Sequence, residues 1–164
     1  MALDMFINMG SKIKGESVDK VQGPLGDIDM LAWSWGLSQS GTTHMGKGGG
    51  AGKANFQDLS FTKYVDSATS AIMIALAKGS HIPKVSLLVR KAGEGQKQYI
   101  TVVLQEVLVT SVSTGGSGGE DRLTENVTLN FAKVTYDYYV QDGKGAMKSA
   151  GTFDWNIAEN AAAE

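Results

Sequence analysis

Alternation of apolar and polar side chains, rather than a helical repeat, runs through most of this chain. Successive side chains of a strand point to opposite faces, so a period of two marks a half-buried strand. Leu3 to Met9 reads as a first strand. Ile28 to Leu37 reads as a stronger second one, with Leu31, Trp33, Trp35 and Leu37 on one face and the first three of these expected to fill the core. Met30, Ala32, Ser34 and Gly36 then point the other way. Phe56 to Val65, Val85 to Lys91, Gln98 to Ser113, Glu125 to Gln141 and Phe153 to Ile157 complete the set. In the stretch from Glu125, the residues Val127, Leu129 and Phe131 occupy odd positions. Val134, Tyr136, Tyr138 and Val140 occupy even ones. Such an alternation changes phase only through an extra residue or a sharp bend, so a β-bulge or corner is predicted near Ala132 and Lys133.

One helix interrupts the strands. Asp66 and Ser67 are both suited to cap its start, Ala68 to Ala77 supply its apolar side, and Lys78 and Gly79 supply a basic last turn and a terminating glycine. Pro83 bars its continuation. Gly41 to Lys53 is too rich in glycine to form a packed element and reads as a flexible loop over 41–54. Ala92 to Gly95 reads as a hairpin turn, Gly115 to Gly119 as a second glycine-rich connection, and 158–164 as a frayed tail. About eight strands beside one flanking α-helix predict a mainly β fold, a curved two-sheet β-barrel, in one domain spanning 1–164. Strands 98–113 and 127–140 carry apolar residues on both faces, more than one helix covers. Self-association is the expected outlet for that surplus.

Composition narrows the function classes. A chain of 164 residues buries enough surface to fold without covalent staples. The absence of cysteine excludes disulfide scaffolds, zinc ribbons and thiol nucleophiles. Net charge is −2 and the 15 Lys and Arg are scattered, so nucleic acid is not an expected partner. Met1 to Met9 lacks a basic start and is broken by Asp4, unlike a secretory leader. No apolar run approaches the roughly 18 residues needed to cross a bilayer, so membrane insertion is not expected.

Motifs that would carry chemistry are incomplete. Gly41 to Gly48 approaches a phosphate-binding loop, but Gly48 stands where a hydroxyl is needed for Mg²⁺, and more glycine follows where a helix should begin. His44 and His81 are the only histidines, lie far apart in sequence and show neither metal-ligand spacing nor a nucleophile elbow. Glu120, Asp121 and Glu125 follow the second glycine cluster and read as a solvated loop rather than an acid/base pair. Asn126 to Thr128 matches a glycosylation sequon that means little without a leader. Trp33, Trp35 and Trp155 sit at strand spacing and read as core rather than a sugar platform. No catalytic residue, metal or cofactor is expected.

Five segments stand out together: Lys14 to Ser17, Asp29 to Gly36, Gln57 to Lys63, Gly151 to Trp155 and, most specifically, Ser111 to Phe131. They resemble the Hcp family of type VI secretion systems. The resemblance covers nearly the whole chain and is weakest over Val140 to Ala150. It implies a non-enzymatic tube subunit that forms hexameric rings and stacked tubes, with a VgrG-type spike, a contractile sheath and small effector proteins as partners. It also implies residence in the bacterial cytoplasm followed by secretion without a cleavable signal peptide. On that reading Met30, Ala32, Ser34 and Gly36 are expected to face the ring lumen and its cargo. Thr43, His44, Met45, Lys47 and Lys53 are expected to dock onto the next ring. The alternatives are a phage-type tail-tube protein and an effector-binding carrier or chaperone that forms no tube.

Overall fold

The computed structural model of the chain describes residues 2–42, 44, 46, 50, 52–93 and 95–162. Ten strands and one α-helix follow in order. They are β1 (Leu3–Asn8), β2 (Ile28–Ser34), β3 (Leu37–Ser38), β4 (Asn55–Phe56), β5 (Leu59–Tyr64), α1 (Thr69–Lys78), β6 (Ile82–Lys91), β7 (Gln98–Thr114), β8 (Thr124–Gln141), β9 (Met147–Asn156) and β10 (Ala161–Ala162). The expected curved barrel with one flanking helix is present. Eight strands share one sheet in the order β10-β9-β8-β5-β2-β1-β6-β7, and β7 also pairs with β8. That last pairing closes β8, β5, β2, β1, β6 and β7 into a barrel, with β9 and β10 extending outward from β8. The barrel is antiparallel throughout.

Closure requires the long strands to turn, and they do so together. On β8 the buried side chains are Val127, Leu129 and Phe131, then Val134. On β7 they are Val102 and Leu104, then Val107 and Val109. Both strands change phase at the same level, where Gln105 pairs with Lys133 and Val107 with Phe131. The corner predicted at Ala132 and Lys133 is therefore real, but no residue is inserted there. The turn comes from across the ladder: Glu106 lies in the left-handed region with φ 54.

A second phase change corrects the reading of β2. Its register with β5 shifts between Met30 and Ala32, leaving Leu31 as the extra residue of a bulge. Ile28 and Met30 therefore point into the core before the bulge, and Trp33 packs against it afterwards. Met30, expected to face outward, is only 5% exposed, and Leu31, expected inside, is 39% exposed. Strict alternation fails here because a bulge moves every later side chain to the opposite face.

Three other boundaries differ. β9 begins at Met147, six residues before the expected Phe153. Ala161 and Ala162, in the expected frayed tail, pair with Asn156 and Trp155. Ala68, not Asp66 or Ser67, is the N-cap of α1. Asp66 instead accepts the Ala68 N–H at 2.9 Å, and the Ser67 hydroxyl donates to the Lys14 carbonyl. The helix ends as predicted, with Gly79 at φ 63 donating to Ala75 and Leu76 carbonyls.

The start of α1 is fastened by a buried ionic cluster. Lys63 and Glu125 face each other in the β5–β8 register and are ion-paired, with side chains 0% exposed. Lys63 Nζ also donates to Asp66 Oδ1 at 2.8 Å and to the Tyr64 carbonyl at 2.9 Å. The Thr69 hydroxyl donates to Glu125 at 2.7 Å. One cation thus meets two carboxylates, and Glu125 Oε2 has no partner among the described residues. Removing the cation strands Glu125 as a buried charge. Lys63→Met is expected to lower unfolding free energy by about 3 kcal/mol or more, read from denaturant midpoints; an unchanged midpoint would show that the cluster holds nothing together.

Candidate functional site

The outward face of β2 and the projection that follows it form the candidate site. After the bulge, Ala32 and Ser34 are exposed. Both are small and uncharged. Gly36 is half-buried, and its carbonyl accepts the Gln57 N–H at 2.9 Å. A Cβ at Gly36 would come within 3.3 Å of Gln57 Oε1, so this stretch lies close against the start of β5. The structure thus keeps three of the four expected outward residues on or near the surface and withdraws Met30.

Beyond Gly36 the chain leaves the barrel as a paired arm. β3 and β4 place Leu37 opposite Phe56 and Ser38 opposite Asn55. Hydrogen bonds then continue past the strands. The Gln39 side-chain amide donates to the Gly52 carbonyl at 2.6 Å, and the Gly52 N–H donates to the Ser40 carbonyl at 3.1 Å. The Thr42 hydroxyl donates to the Gly50 carbonyl at 2.9 Å, and the Gly50 N–H returns a bond to that hydroxyl at 3.2 Å. The described flanks of the stretch read as a flexible loop over 41–54 are thus hydrogen-bonded to each other. A Cβ at Gly52 would lie 2.6 Å from Ser40 Oγ, so here glycine serves the close approach of the two limbs. His44 and Lys53 are exposed on the arm, while Thr43, Met45 and Lys47 lie outside the described residues.

An aromatic cluster holds the base of the arm. Trp35 stacks on Phe56 at 6.4 Å and on Tyr136 of β8 at 6.3 Å, and it meets Phe153 of β9 at 6.3 Å. Phe153 in turn stacks on Trp155 at an interplanar angle of 9°. Such offset pairs add to simple area burial. Burial pushes the Tyr136 phenol above its ordinary pKa, with a smaller contribution from Tyr99. The buried indole N–H groups of Trp35 and Trp155 find no acceptor among the described residues.

A second surface lies on the segment between β1 and β2. Asp19 accepts the N–H groups of Val21 and Gln22 at 2.9 Å each and pairs with the buried Arg90. The Arg90 hydrogen bond, with the Gln22 amide second, holds the Asp19 carboxyl at about 2, below its ordinary 3.8. Arg90 is also stacked 4.8 Å over Phe6. So pinned, the segment presents Val18 at 97% and Leu25 at 60% exposure. At its end, Asp27 is raised above its ordinary pKa by burial, against the opposing Asn8 hydrogen bond.

The groups whose chemistry the sequence raised are dispersed. His81 lies just beyond α1, away from the arm that bears His44 in sequence and element. Glu125 is not in a solvated loop; it is the buried partner of Lys63. Glu120 and Asp121 are exposed, and Arg122 stacks over Tyr64 at 3.8 Å rather than pairing with them. Among the described residues, no group of three or more His, Asp or Glu is placed to hold a metal ion. The ionic cluster was missed on sequence, although parity marks it. Lys63 continues the phase of Leu59 and Phe61, and Glu125 that of Val127 and Leu129.

A barrel closed by two kinked strands, with one flanking helix and one paired arm, defines the class as a small closed β-barrel protein. The family model described as "Type VI secretion system effector, Hcp" matches residues 6–138, and the chain belongs to the Hcp family. Protein hcp1 of Pseudomonas aeruginosa is 59% identical over 163 residues, covering 98% of each chain. The crystal structure of Hcp1 from Salmonella typhimurium superposes with a TM-score of 0.80 at 31% identity, covering 99% of this chain and 100% of that one. A structure described as a type six secretion system protein gives a TM-score of 0.89 at 28% identity, covering 98% and 99%.

Proposed function

We propose that this chain is a structural subunit of the type VI secretion inner tube. Copies close into hexameric rings, the rings stack, and small effector proteins travel in the lumen. The subunit acts by assembly and not by catalysis. It works with a VgrG-type spike and a contractile sheath, and it leaves the bacterial cytoplasm by that route. Family membership supports the tube role. The observation that carries the assembly is exposed apolar surface on opposite-ended features of a finished barrel. Val18 and Leu25 project from the β1–β2 segment, and Leu31 and Leu37 from β2 and β3. A ring needs two different surfaces that meet head to tail, and these separate patches supply candidates. The arm is assigned to stacking, since its hydrogen-bonded limbs give a preformed projection that exposes His44 and Lys53; Thr43, Met45 and Lys47 of the same segment are assigned to that role with them. Ala32, Ser34 and Gly36 are assigned to the lumen because small uncharged side chains make a smooth wall.

Light scattering on a sizing column tests the ring. Six copies of 17.3 kDa give about 104 kDa, with annular particles in negative stain; a monomer at every concentration would remove the tube reading. Deleting residues 43–49 is expected to leave that mass unchanged while abolishing end-to-end filaments in electron micrographs. Filaments of normal length would take stacking away from the arm. Ser34→Gln is expected to preserve the ring and to reduce co-purifying small proteins several-fold by mass spectrometry. Undiminished recovery would place Ser34 outside the lumen.

A further inference from the structure

α1 covers the barrel with only part of its surface. Of its side chains Ile72 and Ala75 are buried, whereas Ile74 is 54% exposed. Ile74 borders an open groove of about 660 Å³ between α1, the turn after β1 and the start of β6. Its floor is apolar, formed by Met9, Ile13 and Ile82, all buried. Its rim is cationic: Lys12 on the turn, Lys78 on α1 and Lys84 on β6 are all exposed, and no Asp or Glu lines the groove. Among the described residues none of the three lysines forms an ion pair. The chain as a whole carries −2, so this groove reverses the overall sign.

From this geometry we infer that the groove docks a short acidic, amphipathic segment of a partner protein. An aliphatic residue of that segment enters beside Ile74 while its carboxylates meet the lysines. Charge complementarity selects the occupant. Three ammonium groups on three separate elements suit several carboxylates spaced along a chain better than a single anionic head group. Lysine stems extend the apolar wall while keeping their charges at the rim. Complementary rim charges of this kind set partner choice and association rate.

Fluorescence anisotropy with a labelled peptide of alternating Leu and Glu tests the inference on the intact protein. The wild type is expected to bind it and to ignore an equally long Leu/Lys peptide. The triple variant Lys12→Glu/Lys78→Glu/Lys84→Glu is expected to weaken binding roughly tenfold or more, and Ile74→Ser to weaken it independently of charge. Lys144→Glu/Lys148→Glu, on exposed lysines elsewhere, is expected to leave binding intact. Equal loss in that control would reduce the effect to general attraction and overturn the site, as would undiminished binding by the triple variant. If charge reversal at the groove instead changed the oligomeric mass and left peptide binding alone, the occupant would be a second copy and the partner assignment would fall.

Discussion

Everything in this molecule depends on strands being allowed to change face. A strand has two sides, and a closed barrel asks one of them to remain inside along a curved path. β7 and β8 are too long to do so straight. They turn together at Glu106 and Ala132, in register across that corner, and so contribute inward residues both below and above it. β2 achieves the same end by another means, inserting Leu31. Without the first device β7 and β8 could not both close the barrel and support β9. Without the second, Trp33 would point away from the core and Trp35 away from the aromatic cluster that anchors the arm.

The buried lysine cluster plays a different part. It sits where β5, β8 and the start of α1 converge, and it supplies direction where apolar packing would supply only contact. Lys63 and Glu125 oppose each other in register, so a slip of one residue between β5 and β8 would separate them and leave a buried charge without its partner. The Thr69 hydroxyl carries the same constraint to the helix, fixing where α1 begins. Arg90 performs a similar service on the far side of the barrel, where it joins β1, β6 and the segment carrying Val18.

Much of the fold was legible in the sequence because period-two alternation is a direct record of which face is inside. β1, β5, β7, β8 and the corner in β8 follow from it, while the helix stop follows from the terminating Gly79. The site was less legible. Bulges need no characteristic residue, so nothing in the run around Leu31 announces an insertion, and Met30 was assigned to the wrong face. Glycine-rich segments are ambiguous in another way. Gly52 permits a close approach of two backbones, and composition alone does not distinguish that use from looseness. Glu125 reads as a solvated loop residue because charged residues normally lie at the surface, although its parity, like that of Lys63, places it inside.

The order of strands has a kinetic consequence. β7 and β8 are neighbours in sequence and meet after a short connection, so their hairpin closes at little entropic cost. β1 must instead find β6, pairing Phe6 with Leu88, across most of β2, β5 and α1. Such non-local pairing is slow. Until it happens, β2 and β6 present two open edges that accept the same strand from any copy, which is the geometry of domain swapping. High concentration therefore favours exchange of β1 between copies, and the rate at which β1 docks sets the concentration below which each chain completes its own barrel.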